Sequence, residues 1–123
     1  MPEMEINMNV IEGGVTAPKG FTAAGVACGI KKDKRKDLAI VCSEDNAVAS
    51  GVFTTNAVKG HSLQLSMEHI KNGIARAIVI NSGNANACVG ETGYKDAMEM
   101  TSLATELLHC EPGDILVNST GVI

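Results

Sequence analysis

Tryptophan is absent from this chain of 123 residues, and its only aromatics are Phe21, Phe53 and Tyr94. The core must therefore be tight Ala, Val, Ile, Leu and Met packing, and stacking platforms for nucleic-acid bases are missing. Cations are scarce too: 10 Lys and Arg stand against 14 Asp and Glu, for a net charge of −4 with histidines neutral. A nucleic-acid surface needs clustered positive charge, so no nucleic-acid partner is expected. The one dense basic run, Lys31 to Lys36, is interrupted by Asp33. No stretch approaches the roughly 18–20 apolar residues of a spanning helix, so no membrane partner is expected either.

The start, Met1 to Glu5, is acidic and lacks the cationic, then apolar, build of a signal peptide. It also lacks the Arg/Ser-rich character of a transit peptide, and a cytoplasmic location is expected. Cys28, Cys42, Cys88 and Cys110 include no C-x-x-C pair and read as buried or idle thiols, not disulfides or metal ligands. No repeat, low-complexity tract or linker marks a domain boundary, and the length suits one small domain or part of a larger one.

What is present reads as α/β. Gly13 to Gly20 is turn chemistry. Phe21–Ile30 predicts a strand of small residues, the basic run a solvated hairpin tip, and Asp37–Cys42 a second strand. Ala47–Thr55 predicts a third strand, with Val48, Phe53 and Thr54 supplying β-propensity. Ser66–Gly73 predicts a short helix with a Ser N-cap and a Gly stop. Ala75–Ile80 is nearly continuous apolar sequence, the mark of a strand buried on both faces. From Thr92 to His109 the apolar positions Ala97, Met100, Leu103, Ala104, Leu107 and Leu108 fall on one helical face. Glu111–Asp114 breaks that helix and Ile115–Val117 begins another strand. Strand, long helix and strand predict a parallel βαβ crossover. The loops after Ile80 and Val117 then leave one sheet edge together, where ligands of open α/β sheets bind.

Several motifs carry residues capable of chemistry. In Asn81–Thr92, residues 84–89 separate Gly83 from Gly90 and Glu91 stands where a phosphate loop needs its lysine. Neither that loop nor G-x-G-x-x-G is present, leaving a structural turn or an active-site wall. Thr120–Gly121 can be a plain turn or an oxyanion site, in which the glycine N–H and a hydroxyl meet developing negative charge. His61, His69 and His109 have no carboxylate or cysteine at a diagnostic interval, and His109 is explained by the helix dipole. Glu91 and Asp96 read as first-turn charges, and Met98 and Met100 as packing. No Ser, Cys or Thr has a recognisable base partner, so half an active site at most is expected. The apolar Val122–Ile123 directly after a Gly turn leads to the expectation that this is part of a longer polypeptide.

Four segments in one order then carry a resemblance: Gly14 to Phe21, Gly51 to Asn56, Asn81 to Cys88 and Ser119 to Ile123. Across essentially the whole chain they resemble the N-terminal part of the α chain of the ornithine acetyltransferase (glutamate N-acetyltransferase) family of arginine biosynthesis. Locally, Gly60-His61-Ser62-Leu63 replaces a typical Ala-Ala-Pro-Val run, and Val89 stands where threonine is common. The resemblance implies a layered α-β-β-α sandwich, of which residues 1–123 are a single incomplete domain. It implies acetyl transfer from N-acetylornithine to glutamate through an acetyl-threonine intermediate, with acetyl-CoA as a co-substrate in some relatives and no cofactor or metal. It implies a precursor that cuts itself into α and β chains, the β chain being the partner in a hetero-oligomer, expected as a heterotetramer. Thr120 and Gly121 match the family's oxyanion-hole pair, while the nucleophilic threonine lies beyond residue 123. Two rival readings stand beside it: a non-catalytic small-molecule-binding or assembly module, and an N-terminal-threonine amidohydrolase or acyltransferase with another substrate.

Overall fold

The computed structural model describes residues 6–123; the acidic start at Met1–Glu5 lies outside the described residues. Four strands form one sheet in the order β1 (Phe21–Val26), β2 (Leu38–Val48), β3 (Ile74–Asn84) and β4 (Ile115–Val122). Helix α1 (His61–His69) links β2 to β3, and α2 (Glu91–Leu108) links β3 to β4. The first two pairings are antiparallel and β3–β4 is parallel, as the strand–helix–strand pattern predicts. Both helices pack against one face of the sheet, so the chain supplies an α layer and a β layer of the expected sandwich. The core there is Leu65, Ala77, Val79, Ala97, Ala104, Ile115 and Val117, all small or aliphatic, as the missing aromatics require.

The structure departs from the sequence reading in instructive places. The first strand stops at Val26, and residues 27–36 form a long connection holding the basic run. The strand expected over Ala47–Thr55 does not form. Instead β2 continues through the polar Ser43–Asn46 to Val48, with a register irregularity between Cys42 and Ala47. Beyond it, Thr54 Oγ1 accepts the Asn56 N–H and Asn56 Oδ1 accepts the Val58 N–H. These local side-chain turns take the backbone away from a sheet ladder.

Helix α1 starts at His61, five residues before the predicted Ser66 cap, and Ser66 lies inside it. Its buried face is largely polar. His69 Nδ1 lies 2.7 Å from the Ile115 carbonyl, and Ser62 Oγ lies 2.6 Å from Ser119 Oγ. Between them Ser66 Oγ donates to the Val117 carbonyl at 2.6 Å and accepts the Val117 N–H at 2.9 Å. Side chains at helical spacing thus satisfy the open edge of β4 at Ile115 and Val117 and meet the Ser119 side chain beyond, and an apolar-periodicity test cannot see such a helix. The predicted stop at Gly73 is observed, with φ +74.

Helix α2 matches its prediction to within one residue at each end. Its buried line is Gly93, Ala97, Thr101 and Ala104, whereas the predicted core positions Leu103 and Leu107 are 56% and 78% exposed. His109 does not sit in the last helical turn; it is the C-cap, with φ +53. Strand β3 is buried on the helix face through Ala75, Ala77 and Val79, but Ile78 on the opposite face is 38% exposed. Burial on both faces is therefore not realised among the described residues.

Candidate active site

The expected loops at the carboxyl edge of the sheet are strand. Asn81, Ser82 and Gly83 of β3 pair in parallel register with Ser119, Thr120 and Gly121 of β4. Gly121 has φ +130, and a Cβ there would lie 2.6 Å from the carbonyl carbon of Gly83. Gly83 itself has φ +117. Only glycine tolerates both the left-handed backbone and this close approach. Thr120–Gly121 is thus no plain turn after a strand but part of the strand itself, whose pairing runs on to Val122 opposite Asn84.

Strand alternation decides what faces where. Val122 directs its carbonyl to β3, accepting the Ala85 N–H at 3.0 Å, while Val117 directs its N–H and carbonyl outward to Ser66. By the same period the Gly121 N–H points off the β4 edge. Helix α1 covers that edge at residues 115, 117 and 119 and begins at His61, so position 121 lies just past its cover. The Thr120 side chain is exposed and projects to the sheet face opposite Ser119.

On the helix side of the same strand ends lies a cleft of about 340 Å³, with Asn81, Asn84, Asn86, Thr92, Asp96 and Ser119 among its lining. The asparagines also do the structural work weighed for this segment. Asn81 Nδ2 donates to the Asn84 carbonyl, Asn84 Oδ1 accepts the Asn86 N–H, and Asn86 Nδ2 donates to the Gly93 carbonyl. The segment is thus the end of β3 and a connection satisfied by its own asparagines, and the same residues line the cleft. Thr120 is not among the residues lining this cleft. Glu91 sits in the first turn of α2 and Asp96 is exposed, as expected of charges near a helix start. His61 is enclosed instead: its ring lies against Gly93, where a Cβ would come within 2.3 Å of Cδ2, and its buried Nε2 has no partner among the described residues.

Asp37 gains its role only in the folded chain. Asp37, read only as the start of a strand, is 3% exposed. Its carboxylate accepts the N–H of Cys28 at 2.7 Å and of Lys31 at 2.8 Å. Those backbone donors hold its pKa at about 2. Its own carbonyl accepts the Ser82 N–H at 2.8 Å, tying the 27–36 connection to the β3 end opposite Thr120. The available signal was a lone acid between a basic run and an apolar strand.

All four cysteines are free; Cys28 and Cys88 are exposed, and Cys42 and Cys110 are half-buried. The Cys28 thiol pKa is pushed up by its hydrogen bond to Asp37, and burial raises those of Cys42 and Cys110. None of the three is therefore poised as a thiolate nucleophile.

Helices packed on a mixed sheet, with one parallel strand–helix–strand crossover, place the chain in the α/β class. Residues 22–123 match the ArgJ family, and the chain belongs to that family. It is 54% identical over 116 residues to the arginine biosynthesis bifunctional protein ArgJ of Caldanaerobacter subterraneus, covering 94% of this chain and 28% of that relative. It is 51% identical over 117 residues to the glutamate N-acetyltransferase of Methanocaldococcus jannaschii, again covering 94% of this chain and 28% of the relative. The crystal structure of ArgJ from Bacillus halodurans superposes with a TM-score of 0.86 at 41% identity, over 90% of this chain and 58% of that one. Ornithine acetyltransferase from Mycobacterium tuberculosis, solved with ornithine, gives 0.83 at 40% identity, over 89% and 60%. The chain thus spans little more than a quarter of the curated relatives it matches.

Proposed function

We propose that this chain is the front of the α chain of an acetyltransferase that moves acetyl from N-acetylornithine to glutamate, in arginine biosynthesis. In this reading a threonine freed by self-cleavage later in the precursor attacks the acetyl carbonyl and carries the acetyl group to the second amine. The Thr120 hydroxyl and the Gly121 N–H donate to the oxyanion that forms on the acetyl oxygen. What supports the assignment is the strand period set by Val117 and Val122, which aims the Gly121 N–H off the β4 edge just past the start of α1. The close approach to Gly83 holds that backbone in place before any substrate arrives, which is what preorganised electrostatic stabilisation demands. The acetyl donor is an amide, or acetyl-CoA where the direct reaction runs, and the scheme calls for no cofactor or metal. The partner is the β chain of the same precursor, in a cytoplasmic hetero-oligomer.

The test is Thr120→Ala in the complete precursor, assayed for N-acetylglutamate formed from N-acetylornithine and glutamate. Loss of one oxyanion donor is expected to lower turnover by about 100–1000-fold. Unchanged turnover in the variant overturns the oxyanion assignment. A wild-type protein that forms no N-acetylglutamate overturns the substrate assignment.

A further inference from the structure

We infer that Asp37 is a positioning residue for the Gly121 backbone donor, acting through the Cys28–Lys31 turn and Gly83; the inference rests on the acetyl-transfer reading above. Asp37 is held at both ends. Its N–H donates to the Val26 carbonyl at 3.0 Å and its carbonyl accepts the Ser82 N–H at 2.8 Å, so the backbone belongs to the sheet. Its carboxylate then gathers the N–H groups of Cys28 and Lys31 and fixes the turn between them. That turn contains Gly29 at φ +95, where glycine's backbone freedom leaves the turn's shape to the carboxylate contacts.

The turn in turn presses on the site. A Cβ on Gly83 would meet Ile30 Cγ2 at 2.7 Å and Lys31 Cγ at 3.3 Å, so Ile30 sits directly over the Gly83 backbone. Gly83 is the register partner of Gly121, and the space for a Cβ on Gly121 is filled by Gly83 in the same way. The chain of contact runs from a buried carboxylate through a turn to two facing glycines, with no side chain between the last two to absorb a shift. Releasing the turn frees Gly83 on one side, and Gly121 loses the wall that fixes its N–H. Asp37 touches no reacting atom in this scheme.

The experiment compares Asp37→Asn, Asp37→Glu and Thr120→Ala in the complete precursor, with kcat and KM measured on the folded fraction after size exclusion. Amide hydrogen exchange is followed at residues 28–31 and 82–84. Asp37→Asn is expected to lower kcat by roughly tenfold or more with KM for N-acetylornithine within about twofold, since a misplaced group costs the transition state and not ground-state binding. Exchange at both segments should quicken. If Asp37→Asn does not fold, Asp37→Glu decides: it keeps the acceptor but displaces the turn, and the same loss of kcat at constant KM is expected. Faster exchange with kcat unchanged assigns Asp37 a structural role only and overturns the inference. A fall in kcat for Thr120→Ala alone does the same while leaving the oxyanion reading intact; no fall in any variant removes that reading and the inference together.

Discussion

Asp37 and Gly121 show how single residues set the strand ends. The Asp37 carboxyl is held at about 2, below its ordinary 3.8, by the N–H groups of Cys28 and Lys31. A lowered folded pKa means that the unfolded chain binds the proton more tightly. The stabilisation is therefore complete above the ordinary value and is lost as pH falls from 3.8 to about 2. In urea unfolding, wild type is expected to be more stable than Asp37→Asn near neutral pH, with the two converging at about pH 2. A gap unchanged across that range would separate the effect from ionisation. Gly121→Ala should destabilise by more than about 1 kcal/mol in the same assay, because it forces a Cβ into a left-handed position. The Cβ would also lie 2.6 Å from backbone that cannot move aside like a flexible side chain.

At the scale of elements, the defining contact is α1 against the β4 edge. Ser66 is buried and satisfies both backbone groups of Val117, so Ser66→Ala leaves a donor and an acceptor without partners. The expected cost is about 1–3 kcal/mol, read as a lower urea midpoint at unchanged slope. The crossing of α1 and α2 depends on Gly93 in a similar way. Helix propensity alone favours alanine over glycine by about 1 kcal/mol. Steric overlap overrides it here, since the Cβ would approach Asn86 Oδ1 to 2.5 Å and His61 Cδ2 to 2.3 Å. Gly93→Ala is accordingly expected to lower the melting temperature despite its helical setting. Ile115, fully buried in β4, marks the apolar end of the same packing; Ile115→Ala should cost about 2–5 kcal/mol.

For the whole molecule, the notable feature is the apolar surface the fold leaves open. Beside α2 runs a groove of about 270 Å³ with Val26, Leu38, Ile40, Met100, Leu103 and Leu107 among its lining. The face of the sheet opposite the helices exposes Ile78 as well. Such surface takes up hydrophobic dyes. This chain expressed alone is expected to bind 8-anilinonaphthalene-1-sulfonate, and the double change Leu103→Lys, Leu107→Lys to weaken binding without altering the far-UV circular dichroism. Equal dye binding in the two proteins would place the dye elsewhere.

Much of the architecture was legible from local pattern. Helix α2, the β3–α2–β4 crossover, the β1–β2 hairpin and the Gly73 stop each have a signal within a few residues, because apolar spacing and turn chemistry are local properties. The motif segments by themselves identify the family and single out Thr120 and Gly121. Tertiary structure decided the rest. Helix α1 packs through serines and a histidine, whose worth depends on β4 backbone about fifty residues away. The polar Ser43–Asn46 carries no strand signal, and β2 rejoins the ladder beyond it only because Ala75 and Ile74 of β3 pair with Ala47 and Val48. Leu103 and Leu107 look like core by period, yet no described element covers them. Asp37 is an ordinary acid until folding brings Cys28, Lys31 and Ser82 around it. A sequence pattern records which face of an element is apolar, but only the assembled fold determines which polar groups find partners and which strand edge a helix covers.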